Sequence, residues 1–239
     1  MRDATIAVNP NASLEVRTVG RAGTPVIVID DFALDLGEVI DYGCRSAEYG
    51  SDGTSMYPGL RAPLPKGYVR AVLQQIYRLL FDVYEVPPDL GMKTVNAVYS
   101  LIATPEAQLQ PGQRRPHFDS CRPYFLAVLH YLNAGPFCDT GLFRHRATGL
   151  ERVSEETVET YLRACEEQAA DEPGYIKGSS AHYELYDRIQ YRPNRLVAYP
   201  GSLLHSGLVD PAVDINPDPR SGRLTANIFV DFVPLAGQS

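Results

Sequence analysis

Tyr124-Phe125-Leu126-Ala127-Val128-Leu129-His130-Tyr131-Leu132-Asn133 is the strongest strand in the chain, and it sets the texture of everything around it. Asn133-Ala134-Gly135-Pro136 breaks it with turn residues. Strand character returns at Met92–Ala103, Gln108–Gln110, Thr140–His145, Tyr186–Tyr199, Ser202–Val209 and Arg223–Phe232. Helical periods are concentrated earlier. Asp35 is placed to cap a helix through Leu36, Val39, Ile40 and Cys44. Val69, Val72, Leu73, Ile76, Leu79, Leu80 and Val83 mark a second helix over Tyr68–Tyr84, stopped before Pro87-Pro88.

The remaining segments are simpler. Residues 1–22 allow one short strand, and Thr24–Phe32 is a β-branched strand ended by two acids. Tyr49–Pro65, rich in Gly, Pro and Ser, reads as a loop, as does Asp210–Gly222. Ser154–Ala170 reads as a helix capped by Ser154, followed by a mobile stretch, Asp171–His182. Helices first and many short strands afterwards predict an α+β chain whose strands form a double-sheet barrel or jelly roll, with the N-terminal helices buttressing one face. No internal repeat or domain boundary is visible, so residues 1–239 are expected to form a single domain.

Composition narrows the function classes. The 44% apolar and 21% charged residues are those of an ordinary folded protein. A net charge of −7 without a basic block argues against nucleic acid as the partner. Cys44, Cys121, Cys138 and Cys165 form no CxxC pair, which points to a reducing compartment rather than a disulfide framework or a zinc knot. With no apolar leader and no run of membrane-spanning length, the expectation is a cytoplasmic protein acting on a small molecule or peptide, of undetermined oligomeric state. GxGxxG, P-loop and GxSxG elements are absent, so nucleotide and serine-hydrolase chemistry lack support.

The chemistry-bearing residues start with His117 and Asp119, two positions apart and therefore on one side of an extended segment. Taken alone, this tripeptide fits a solvated turn carboxylate beside an incidental histidine better than it fits a metal site. His205, which follows an apolar strand and a Pro200-Gly201 turn, supplies a second imidazole. Two imidazoles and one carboxylate with open positions are the facial set of non-haem Fe(II) oxygenases. Arg223, Thr225 and Asn227 share one face of the last strand, and an inward guanidinium there needs an anion. Arg220 competes with Arg223 for that role.

His130, next to Tyr131 in sequence, is expected to face the other way as a packed residue, whereas His145 is a candidate for the substrate mouth. Arg114, Arg115 and Arg122 read as solvated flanking charges in preference to receptors for an acidic substrate group, and Tyr57 and Arg61 as turn residues in preference to parts of a loop that closes over the site.

His117-Phe118-Asp119, Tyr131-Leu132-Asn133, Asp139-Thr140-Gly141-Leu142-Phe143, Asn194-Arg195-Leu196-Val197-Ala198-Tyr199, His205 and Gly222-Arg223 occur in an order that resembles the 2-oxoglutarate- and Fe(II)-dependent dioxygenases, most of all their prolyl-hydroxylase-like branch. The similarity spans about residues 92–233. It implies a double-stranded β-helix in which His117, Asp119 and His205 hold Fe(II). It also implies that Arg223 pairs with the C5 carboxylate of 2-oxoglutarate, helped by Tyr131 and, from the Arg223 face, Thr225. The implied activity consumes O2 and 2-oxoglutarate, releases succinate and CO2, and hydroxylates an unactivated C–H bond. The carboxylate at position 119 argues against halogenation. The wide step from His205 to Arg223 makes Asp210–Gly222 an insertion, unless Arg220 is the true partner. Two other classes fit the same residues less fully: a cupin-like metal-binding isomerase or hydrolase, and a non-catalytic binding module that retains the fold.

Overall fold

The computed structural model describes residues 3–51, 57–168 and 173–235. Eleven strands and three α-helices are formed within these residues. The strands are β1 (Ser13–Val19), β2 (Thr24–Asp30), β3 (Gly50–Ser51), β4 (Gly59–Pro63), β5 (Leu90–Ile102), β6 (Phe125–Tyr131), β7 (Thr140–His145), β8 (Tyr183–Ile189), β9 (Leu196–Pro200), β10 (His205–Gly207) and β11 (Thr225–Pro234). The helices are α1 (Gly37–Arg45), α2 (Lys66–Val83) and α3 (Val158–Glu167). All strand pairings are antiparallel. A large sheet runs β1-β2-β9-β6-β11-β5-β4-β3, and a small one runs β10-β7-β8.

Strand β6 lies between β9 and β11, and every one of its residues is buried. Its two faces serve different layers, because successive side chains alternate. Leu126 and Val128 join Ile27, Ile29, Leu196, Ala198, Ile228 and Val230 in the core under the helices. Ala127, Leu129 and Tyr131 join Val26, Val28, Val197 and Tyr199 in a second core, closed from the small sheet by Leu142 and Ile189. The apolar stripe of α2, from Tyr68 through Val72, Leu73, Ile76 and Leu80, covers the first face. The N-cap of α1 is Leu36 rather than Asp35, whose carboxylate instead closes the turn before the helix by accepting the Gly37 N–H at 2.8 Å.

Several segments differ from their sequence reading. Within Tyr49–Pro65, of which 52–56 lie outside the described residues, β3 and β4 extend the large sheet beyond β5. Gly59 sits so close to the Leu101 carbonyl that a Cβ would overlap it. Gln108–Gln110 is bounded by tight 3-10 turns rather than forming a strand. Tyr186–Tyr199 divides between the two sheets at Asn194, which has φ +61° and clasps Ala33 with both ends of its amide (2.9 and 2.8 Å). Helix α3 begins at Val158, because Ser154 closes the preceding turn and its hydroxyl meets that of Thr157. The expected helix end at 169–170 and residues 171–172 lie outside the described residues. Contrary to a loose reading of the segment after them, Tyr175 and Ile176 are buried. The Tyr175 hydroxyl donates to the Thr104 carbonyl at 2.6 Å. Among the described residues no helix is long and apolar enough to cross a membrane.

Candidate metal centre

His117 and His205 form an isolated antiparallel bridge between the loop before β6 and the start of β10. Each N–H donates to the other's carbonyl, at 3.0 and 2.9 Å, which sets the imidazoles side by side with ring centroids 4.4 Å apart. Asp119 is fixed by its own N–H, which donates to the Gly201 carbonyl at 2.7 Å. A side chain at Gly201 would meet Phe125 at 2.5 Å and the Asp119 Cβ at 3.3 Å, so glycine is what permits this approach.

The ligand atoms of His117, Asp119 and His205 all lie within 4.8 Å of one another. The two imidazole Nε2 atoms stand 3.9 and 3.8 Å from the Asp119 carboxylate, too far for hydrogen bonds. The spacing is short enough for one cation to touch all three.

The protonation pattern favours a cation. His205 Nδ1 lies 2.8 Å from the Leu203 carbonyl, which can only accept, so Nδ1 is the donor there and Nε2 is the ring nitrogen left to face Asp119. Enclosure in the cleft, then the neighbouring His205 and Arg61, push His117 well below the usual imidazole range. Burial raises the Asp119 carboxyl, with His205 and Arg61 pulling the other way. Asp119 Oδ2 is buried with no hydrogen-bond partner. An orphaned carboxylate oxygen beside two imidazoles is the donor set a divalent cation satisfies. His205 is nearly sealed, while the His117 side chain is 44% accessible and forms the open edge of the centre.

The triad opens into a cavity of about 90 Å³ between the two sheets. Arg223 lines it, 5% exposed, with Nε donating to the Cys138 carbonyl at 3.2 Å. Its guanidinium lies 5.3 Å from the Tyr131 ring and 5.5 Å from that of Tyr191. Among the described residues no carboxylate pairs with it. Arg220 points to solvent near Asp218 and does not line the cavity, so the inward arginine is Arg223, which stands two residues before β11 rather than opening the strand.

The supporting residues are arranged differently from the sequence reading. The Tyr131 hydroxyl meets Thr140 Oγ1 at 2.9 Å, and it is Thr140 that lines the cavity. Thr225 lines it too, but its hydroxyl donates to Asn227 Oδ1 at 2.9 Å.

Tyr57, Arg61 and Arg115, read as turn residues and a flanking charge, face the cavity together with Tyr175, Tyr199 and Asn227. Arg114 and Arg122 are engaged elsewhere, with the Leu109 carbonyl and Asp231. His145 does not reach the mouth; it is buried between Thr148 and Gln168, packed on Tyr161 and Tyr183. His130 faces the helices, bonded to Tyr68 and Asn194, as its position beside Tyr131 requires.

Fold and site together define a mixed α+β protein of two antiparallel sheets with a His-Asp-His candidate metal centre between them. The chain belongs to DUF6445, a family of unknown function, whose pattern matches residues 10–230. No curated protein and no solved structure matches the chain.

Proposed function

We propose that this protein is a non-haem Fe(II)- and 2-oxoglutarate-dependent dioxygenase that hydroxylates an unactivated C–H bond of a small molecule or a peptide side chain. The observation that carries this reading is one cavity holding both a two-histidine, one-carboxylate set and a buried arginine with no carboxylate partner among the described residues. A second metal-binding chemistry, such as a cupin-like hydrolase, leaves the buried Arg223 charge without an anion. For the dioxygenase it is a receptor for the distal carboxylate of the oxoacid.

The finer fold reading is a double-stranded β-helix, and the strand order supports it. In the large sheet the order is β9-β6-β11-β5, and in the small one the His117 bridge is followed by β10, β7 and β8. Such interleaving is that of two packed Greek keys.

When bound, iron and the oxoacid would supply the oxidation, with succinate and CO2 as co-products. The chain's own part is binding, orientation and exclusion. His117, Asp119 and His205 would hold the metal on one side, leaving the other positions open. Arg223 would fix the oxoacid's far end. The Tyr131 hydroxyl orients Thr140 against the same end, and the buried walls keep bulk water away.

The test is turnover of 2-oxoglutarate by purified protein under air. Succinate formation that requires added Fe(II) and disappears in His205→Ala is the expected result. Metal-dependent activity indifferent to 2-oxoglutarate would replace this reading with the cupin-like one.

A further inference from the structure

We infer that Asn227 is a positioning residue for the oxoacid, donating an amide N–H to its metal-proximal carboxylate; this rests on the dioxygenase reading above. The resemblance assigned a supporting role to Thr225, yet the Thr225 hydroxyl hydrogen is directed at Asn227 Oδ1, 2.9 Å away. The alternative acceptor, the Ser100 carbonyl, is farther at 3.4 Å. The Asn227 carbonyl oxygen is therefore occupied, and its Nδ2 is the end of the amide left for the cavity that the residue lines. Among the described residues no acceptor is hydrogen-bonded to that nitrogen. Asn227 is half-buried and faces the cavity, so this amide donor is open to an acceptor from a ligand that displaces water there.

Strand register places the amide along the cavity. Pocket-facing residues on β11 advance by roughly 6.6 Å per alternate position. Arg223 stands just before the strand, and along it come Thr225 opposite Tyr131, Asn227 opposite Leu129, and Phe229 opposite Ala127. Ala127 in turn pairs with Tyr199, whose ring packs edge-on against His205 at 5.0 Å. The triad thus stands at the Phe229–Ala127–Tyr199 level. Asn227 is one step before it, and Arg223, ahead of the strand's first residue, is further off on the same side. An acid that reaches from Arg223 to the triad passes its near carboxylate by Asn227, whereas its far carboxylate belongs to Arg223.

The test uses Mn(II)-loaded protein, so that no turnover intervenes, with calorimetric titration of 2-oxoglutarate and of 2-oxobutanoate, which lacks the distal carboxylate. Asn227→Ala should weaken both acids about tenfold, about 1.4 kcal/mol, with Mn(II) affinity unchanged. Asn227→Asp, isosteric and anionic, should weaken both further, by about a hundredfold. Thr225→Val, which frees the amide to rotate, should reproduce part of the alanine effect. Both acids binding Asn227→Ala and Asn227→Asp as they bind wild type would overturn the inference and leave the dioxygenase reading intact. A loss confined to 2-oxoglutarate would overturn the metal-proximal placement. Wild type that takes up Mn(II) but neither acid would overturn the dioxygenase reading, and this inference with it.

Discussion

Asp119 combines burial, an orphaned oxygen and a raised carboxyl pKa in one side chain, and that combination has a measurable sign. A carboxyl raised on folding destabilises the metal-free protein in its ionised form. The cost is absent below the unfolded value of 3.8, grows as pH rises towards the raised folded value, and is complete above it. Asp119→Asn should therefore raise the melting temperature of the metal-free protein at neutral pH by about 2–6 °C, from roughly 1–2 kcal/mol of relieved desolvation. The same substitution should abolish the stabilisation that divalent metal gives wild type. A melting temperature that falls in the metal-free variant would mean that the carboxylate is held by protein groups alone. At this scale the sequence was informative where residue type and chemistry coincide: His117, Asp119, His205 and Arg223 all lie in one cavity. Asn227 was not legible as a donor, because an amide on a strand signals nothing until its hydrogen-bond partner is known. Arg61 was misread for a similar reason, since only the pairing of its strand with β5 turns it inward.

Elements with strong periodicity were readable because local pattern and tertiary burial agree. The apolar stripe of α2 and the β6 run belong to this group. Strand β4 was not readable, because a Gly- and Pro-rich segment becomes a strand only through the edge offered by β5. Segment 173–182 read as loose because Pro173, Gly174 and Gly178 outweigh the two residues that anchor it, Tyr175 and Ile176. The link between β9 and β10 shows how an element sets the site. Gly201 accepts the Asp119 N–H and leaves room for the Phe125 ring. Gly201→Ala should destabilise the fold by about 1–3 kcal/mol through overpacking and weaken metal binding by displacing Asp119. Thermal melting with and without Mn(II) separates the two effects. Unchanged metal affinity would show that Asp119 does not depend on this turn.

Across the whole molecule, the large sheet is held between a helical layer and the small sheet, and the helix-side core carries a pH sensitivity. His130 lies in the helix-side core, where burial lowers its pKa to about 4 from 6.5, against the raising effect of Asn194. Because the folded value is depressed, the unfolded chain takes up the proton first. Stability is then lost as pH falls from about 6.5 towards 4. Between pH 7.5 and pH 5 this amounts to about 2 kcal/mol from His130 alone. His130→Gln should flatten that part of the melting profile, and an unaltered pH slope in the variant would place the sensitivity elsewhere. The division into two cores follows from strand alternation and was foreseeable. The sheet order was foreseeable only in outline, because pairings such as β5 with β11 join segments far apart in the chain.

The central claim is that one centre binds both metal and oxoacid, and anaerobic ultraviolet–visible titration with Fe(II) and then 2-oxoglutarate tests it most directly. A weak charge-transfer band near ~500–550 nm, of the kind a chelated oxoacid gives at a facial-triad iron, is expected in wild type. It should be absent in His205→Ala and should need at least about tenfold more 2-oxoglutarate in Arg223→Ala, the loss of a charge-assisted contact. Folded, iron-loaded wild type that shows no band at saturating 2-oxoglutarate would contradict the claim.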